Sequence, residues 1–234
     1  MSVTTNDPAG LLRLLQLTDS GFPTGAFAFS HGLEGLYAAG WVQNEADVAS
    51  VVAAQVHEGF AGIEGPAAVR AWRAAQVPDA DGLRGLDTRV SALKPVPAFH
   101  SGSIRTGRRL LESASGLLAS EALAIMRDGV ARGTIDGHHA VVFGVVMAAA
   151  GVDEAAAVTA LGAGFVNGLV SAAVRLGIIG QVAAQRIVAS LHGSIVQKAL
   201  AAREMELDDM GGYLPWADIA GLRQPTLTGR IFAS

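Results

Sequence analysis

The side chains able to act as ligands or acid–base groups begin with six histidines, His31, His57, His100, His138, His139 and His192. No two are spaced i,i+4. His138 and His139 are adjacent at a helix start after Asp136-Gly137, so their side chains diverge by about 100° around the axis and do not share one ion. A capping or surface role suits that pair better. His31 and Glu34, three apart on one helical face, could form a hydrogen-bonded pair or a two-ligand nickel or zinc site completed by another chain. Arg105, Arg108 and Arg109 give a basic face near Ser101 and Ser103. It could hold a carboxylate or phosphate through forked hydrogen bonds, or lie solvated in ordinary ion pairs. A helical hydrolase or ligand-binding enzyme built on His31, Glu34 and the Arg105/Arg108/Arg109 face is therefore one reading.

Other chemistries lack their residues. Without cysteine there is no thiolate catalysis and no Cys-zinc site. No G-x-S-x-G occurs, and the two lysines, Lys94 and Lys198, complete no phosphate-binding G-x-x-x-x-G-K-[ST]. Gly162-x-Gly164 lies inside a helical pattern, where glycine serves packing and not a dinucleotide turn. No metal or cofactor site emerges.

The elements that must position these groups read as helices throughout. The 234 residues are 50% hydrophobic and 6% aromatic, without sustained strand-like alternation, so the fold expected is all-α, a single compact domain of about ten helices. Asn6-Asp7-Pro8 caps a leucine-rich first helix, and TDSGFPTG (18–25) is a turn. A second helix is predicted from Phe27–Ser30 to Gly40, a third from Asn44-Glu45 to Phe60, and a fourth opening at Gly65-Pro66. Further helices are expected near 83–93, 99–113, 116–131, 137–150, 154–175, 178–192 and 194–208. Gly211-Gly212 and Pro215 then break regular structure, leaving residues 211–234 as a tail. No repeat or linker divides residues 1–234.

Charge and hydropathy narrow the setting. Lys+Arg 17 against Asp+Glu 21 offers no basic surplus for nucleic acid. The first ten residues carry Asp7 and no basic segment, unlike a secretory signal, so a cytoplasmic protein is expected. Ala155 to Val174 is uncharged over the length of a membrane span. Thr159, Asn167, Ser171 and three glycines dilute it, and a buried core helix is the better reading than a membrane one. Gly164-x-x-x-Gly168 predicts close approach of a neighbouring helix, within the chain or across a dimer.

Four separated segments resemble the urease accessory protein UreF family. They are LLRLLQLTDSGFPTGAFAFSHGLE (11–34), continuing to Ala39-Gly40-Trp41-Val42; SIRTGRRLL (103–111); AAVRLGIIGQVAAQR (172–186); and the terminal Arg230-Ile231-Phe232-Ala233-Ser234. The resemblance implies an all-α homodimer with a non-enzymatic role in urease maturation. It also implies binding to a UreD-type (UreH-type) accessory protein, recruitment of a UreG-type GTPase, and nickel delivery to apo-urease. On this resemblance the tail orders on the UreD-type partner, with Arg230 as a fork, Phe232 as an apolar plug and Ser234 supplying the terminal carboxylate. Pro23, Gly25, Ser30, Gly32 and Glu34 would shape the amino-terminal turn and helix near that partner. Arg175 and Gln181 would lie on the GTPase-facing or dimer surface, or be buried hydrogen-bonding groups. The chain departs from the family in carrying Gln224 where many members have His, and in the character of LKPVPAFHSG (93–102).

Overall fold

The computed structural model describes residues 8–227 and 229–233, and they form an all-helical domain. Its helices are α1 (Pro8–Thr18), α2 (Leu33–Ala38), α3 (Glu45–Gln55), α4 (Gly65–Gln76), α5 (Ala80–Ala92), α6 (Pro97–Ser115), α7 (Glu121–Arg132), α8 (His139–Ala149), α9 (Glu154–Arg175), α10 (Gln181–Glu204) and α11 (Pro215–Arg223). Short polar residues set many of the starts. Asn44 accepts from the Ala46 and Asp47 amides, Asp79 from Asp81, Ser120 from Leu123 and Asp153 from Ala156. Each satisfies an amide that the first helical turn would otherwise leave orphaned.

Helix α8 is the centre of the core, with Ala140 through Met147 all buried. It is apolar on every side because α4, α6, α7 and α9 surround it. The α4–α8 crossing depends on Gly144, where a β-carbon would fall on the Ala68 carbonyl. Helix α9 is the one described helix long and apolar enough to cross a membrane, yet half of its most apolar window is buried inside the chain. Its buried face, including Val158, Leu161, Val166 and Leu169, packs among α4, α8 and α10.

Five expectations need correction. The third and fourth helices do not break at Gly65-Pro66; a π-helical stretch, Val56–Glu64, joins α3 to α4 with helical dihedrals at both joints. The wider i→i+5 turn accommodates a proline that has no amide to donate. The helices expected on either side of His192-Gly193 are one helix, α10, because Ile187, Ile195 and Ala199 are buried along one continuous face. The second helix is shorter: Ala26–Ala28 is a 3₁₀ turn, Phe29 is extended, and α2 starts only after left-handed His31 (φ 51°) and Gly32 (φ 86°). Within the chain, close packing occurs not at Gly164 and Gly168, which face open space, but at Gly162, where a β-carbon would lie 2.8 Å from both Ile195 and Phe60. Lastly, the segment after Gly211-Gly212, expected as a tail without regular structure, contains α11, whose Ala217, Ala220 and Gly221 are buried and which lies against α2 and α6.

Candidate functional site

The segment Phe27–His31 separates two features, a seat for the tail on one side and a cavity on the other. The tail seat is built by α2 and the end of α9. The Ile231 amide donates to Glu34 Oε1 at 2.6 Å, and Gln224 Nε2 donates to Glu34 Oε2 at 2.9 Å and to Ser30 Oγ at 3.4 Å. Ala233 N–H donates to the Ala28 carbonyl at 2.8 Å. Phe232 is buried under the Arg175 guanidinium, whose carbon lies 4.3 Å from the ring centroid. The same guanidinium donates to the Phe27 carbonyl. Ser30, Glu34 and Gln224 are all buried, and Gln224 Oε1 has no hydrogen-bond partner among the described residues. A buried carboxylate that accepts from a backbone amide and a side-chain amide is a strong anchor, because bonds to an ionised acceptor are the tight ones.

On the opposite side lies a cavity of about 540 Å³. Phe27, Phe29, Phe99, Phe143 and Phe165 give it aromatic walls, and α9 contributes Gly164, Asn167, Gly168 and Ser171. Its polar groups include His31, Glu64, Lys94, His139 and Ser103, with Asp19, Ser20 and Thr24 among the others. Lys94 and Glu64 form a hydrogen-bonded ion pair, both largely buried. Burial alone would raise the Glu64 pKa, but the Lys94 charge and hydrogen bond outweigh it and hold the carboxyl below its ordinary value. Burial lowers His31 to about 4, despite the opposing Glu64 charge, and lowers His139 as well. Near neutral pH the buried part of the cavity therefore holds one compensated ion pair between two uncharged imidazoles, with exposed Asp19 at its rim.

A polar network borders the cavity through Ser103, whose Oγ lies 3.1 Å from His138 Nδ1. His138 is fully buried, and burial lowers its pKa to about 4. This replaces the capping or surface role expected for the His138–His139 pair; the loop before α8 turns His138 inward against Ser91 and His100.

The sequence-predicted residues separate into groups. Ser30, Glu34, Arg175 and Phe232 meet at the tail seat, while Pro23 is exposed and Gly25 (φ 71°) lies under the Arg109 guanidinium. Arg230 is exposed beside the seat, and Gln181 is exposed at the start of α10. Ser234 lies outside the described residues. The enzymatic set does not assemble. His31 faces the cavity, Glu34 the tail, Arg105 stacks on Phe29 (4.6 Å), and Arg108 donates to the Asp136 carbonyl at 2.7 Å. None of Glu34, Arg105, Arg108 or Arg109 lines the cavity. Left-handed backbone at His31 and Gly32 is the cause, since it removes the helical register that would have paired His31 with Glu34. Sequence reasoning missed Glu64, Lys94 and Asp87. The available signal was the rarity of lysine, which makes Lys94 in a Pro-rich loop a candidate for a specific partner.

The UreF family model matches residues 42–192. The urease accessory protein UreF of Trichodesmium erythraeum (strain IMS101) is 32% identical over 229 residues, covering 98% of this chain and 99% of that protein. UreF of Rhodopseudomonas palustris (strain BisA53) is 33% identical over 228 residues, covering 97% and 94%. UreF of Bradyrhizobium diazoefficiens is 30% identical over 245 residues, covering both chains fully. With the family model spanning more than half of the chain and these relatives matching it nearly end to end, the chain belongs to the UreF family of urease accessory proteins.

Proposed function

We propose that the chain is a non-catalytic, cytoplasmic adaptor in urease maturation that presents its docked tail to a UreD-type (UreH-type) accessory protein. The observation that supports this most directly is the tail seat. Glu34, Ser30 and Arg175 fix the terminal segment so that Arg230 and Ile231 stay at the surface while Phe232 is buried. Ile219 and Leu222 on α11 and Tyr37 on the adjoining α2 are also exposed apolar side chains. An arginine at the rim of an apolar patch suits a protein partner. In this reading Phe232, Ser30 and Glu34 act by holding the tail, Pro23 and Gly25 shape the adjoining turn, and Arg230 reaches the partner. The assembled complex recruits a UreG-type GTPase and apo-urease, with Gln181 left to a GTPase or dimer surface and Arg175 committed to the tail. The chain works as a homodimer and needs no cofactor, nickel and nucleotide being handled by its partners.

Co-purification with a UreD-type protein tests the proposal. Capture by the full chain, reduced by Arg230→Ala without a change in thermal unfolding, is the expected result. No capture by the unaltered chain would overturn the adaptor reading, and equal capture by Arg230→Ala would remove Arg230 from the interface.

A further inference from the structure

Beside the cavity, and independent of the adaptor reading, three side chains from two elements converge. His100 on the first turn of α6, Asp136 in the α7–α8 loop and His138 at the head of α8 each offer a ligand atom, and these atoms all lie within 4.8 Å of one another. The two rings sit edge to face, with centroids 5.0 Å apart. We propose that His100, Asp136 and His138 form a binding site for one first-row divalent cation of the zinc–nickel type.

The surroundings are built as a ligand set needs. Asp87, almost fully buried, accepts from three successive amides: Asp136 (2.6 Å) and Gly137 (3.1 Å) at Oδ2, and His138 (2.8 Å) at Oδ1. Those bonds fix the loop that carries two of the three ligands. Arg108 holds the same loop from outside through the Asp136 carbonyl. The His138 ring is oriented through Nδ1 by Ser103, the kind of outer partner that metal-bound imidazoles use. Its other nitrogen, Nε2, lies 2.8 Å from Ser91 Oγ, which is also 2.8 Å from Asp136 Oδ2. Ser91 thus stands between two ligands, placed to supply a fourth position or to bond the carboxylate once an ion enters.

Tetrahedral ligands about 2.0 Å from zinc are roughly 3.3 Å apart, so the set needs to close by about 1.5 Å, within the reach of side-chain rotation. Two imidazoles and one carboxylate favour borderline ions over magnesium or calcium, which take oxygen ligands. The nearby Lys94 charge would oppose a cation, but Glu64 is paired with it. His138 is buried while His100 and Asp136 are half-buried, so entry is from the His100 side.

Calorimetric titration of the full chain with ZnCl₂ and with NiSO₄ tests the site. Saturable binding of one ion per chain is expected, with no comparable binding of MgCl₂ or CaCl₂. His100→Ala and Asp136→Asn should each weaken it at least about ten-fold, the scale of losing a ligand or its support. The surface variant His57→Ala/His192→Ala should bind as the unaltered chain does. Circular dichroism of each variant separates lost ligation from lost fold, and Asp136→Asn, which keeps size and shape, carries the test if His100→Ala unfolds. The proposal is overturned by absence of saturable binding, by unchanged affinity in folded Asp136→Asn, or by loss confined to His57→Ala/His192→Ala.

Discussion

Replacing Glu34 by Ala removes both carboxylate oxygens that accept from the tail. The Ile231 amide and the Gln224 side-chain amide lose their carboxylate, and Gln224, already carrying an unpartnered buried Oε1, is left with Ser30 at 3.4 Å. Hydrogen bonds to an ionised group contribute about 1.5–3 kcal/mol each, and partial rehydration of the freed segment recovers some of that, so a net loss of about 3 kcal/mol is expected at the seat. At 1.4 kcal/mol per decade this opens the tail roughly 100-fold more often. Amide hydrogen exchange reads it directly, because the Ile231 and Ala233 amides are both bonded across the seat, one to Glu34 and one to the Ala28 carbonyl. Exchange over 229–233 should accelerate by about two orders of magnitude while α8 and α9 are unaffected. Glu34→Gln should do far less harm: with the Gln224 amide turned over, its orphaned Oε1 can accept from the new amide while the other oxygen keeps Ile231. Unchanged exchange at Ile231 in Glu34→Ala would refute the anchoring argument. Equal acceleration throughout the core would show that Glu34 supports the whole domain and not the tail.

Four further outcomes follow from the same contacts. Arg175→Ala removes the cation over Phe232 and the donor to Phe27, so tail exchange should rise by about ten-fold, and Arg175→Lys should restore only part of the protection because lysine lacks the planar face. Lys94→Met strands the Glu64 carboxylate and should cost about 3–5 kcal/mol in denaturant unfolding, whereas Lys94→Met with Glu64→Leu should recover most of it; an equally unstable double variant would contradict the pairing argument. His31 has its folded pKa lowered from 6.5 to about 4, so the unfolded chain binds more protons between those values, and its contribution is full above pH 6.5 and lost as pH falls towards 4. Between pH 7 and 5 that loss is roughly 2 kcal/mol, and His31→Asn, which tolerates left-handed backbone, should flatten the pH dependence by that amount. Gly144→Ala forces a methyl onto the Ala68 carbonyl and should lower stability by about 1–3 kcal/mol or more; an unchanged melting temperature would mean that α4 and α8 separate freely.

Local chemistry made much of this fold legible. The Asn44 cap and the uncharged run bounded by Glu154 and Arg175 give helix starts and stops that the structure reproduces. What the sequence hides is register and long-range pairing. The π-helical Val56–Glu64 shifts the hydrogen-bond ladder without changing side-chain composition, so Gly65-Pro66 looks like a start when it is an interior position. Gly193 reads as a break but costs only about 1 kcal/mol in a helix, less than burial of Ile195 and Ala199 returns. At the site, resemblance pointed to Ser30, Glu34 and Phe232, and the contacts explain their meeting. The Lys94–Glu64 pair has no local signature, because its members are thirty residues apart on different elements.

The position of Phe27–His31 ties the two features together. Phe27, Phe29 and His31 line the cavity, whereas the Ala28 carbonyl and the Ser30 hydroxyl face the tail. Arg175 grips this segment and the tail at once, through the Phe27 carbonyl and the Phe232 ring. His31 sits in left-handed backbone, which is disfavoured for a residue with a β-carbon, and the Gln55 side chain donates to its carbonyl at 3.2 Å. A five-residue wall held from both sides in this way cannot move on one side alone. Displacing the tail would free the Ala28 carbonyl and take Phe232 from beneath the Arg175 guanidinium that holds Phe27, and filling the cavity would press on the carbonyl that holds Ala233. The seating of the tail and the shape of the cavity are thus two readings of one backbone conformation, with Arg175 as the residue whose loss should uncouple them.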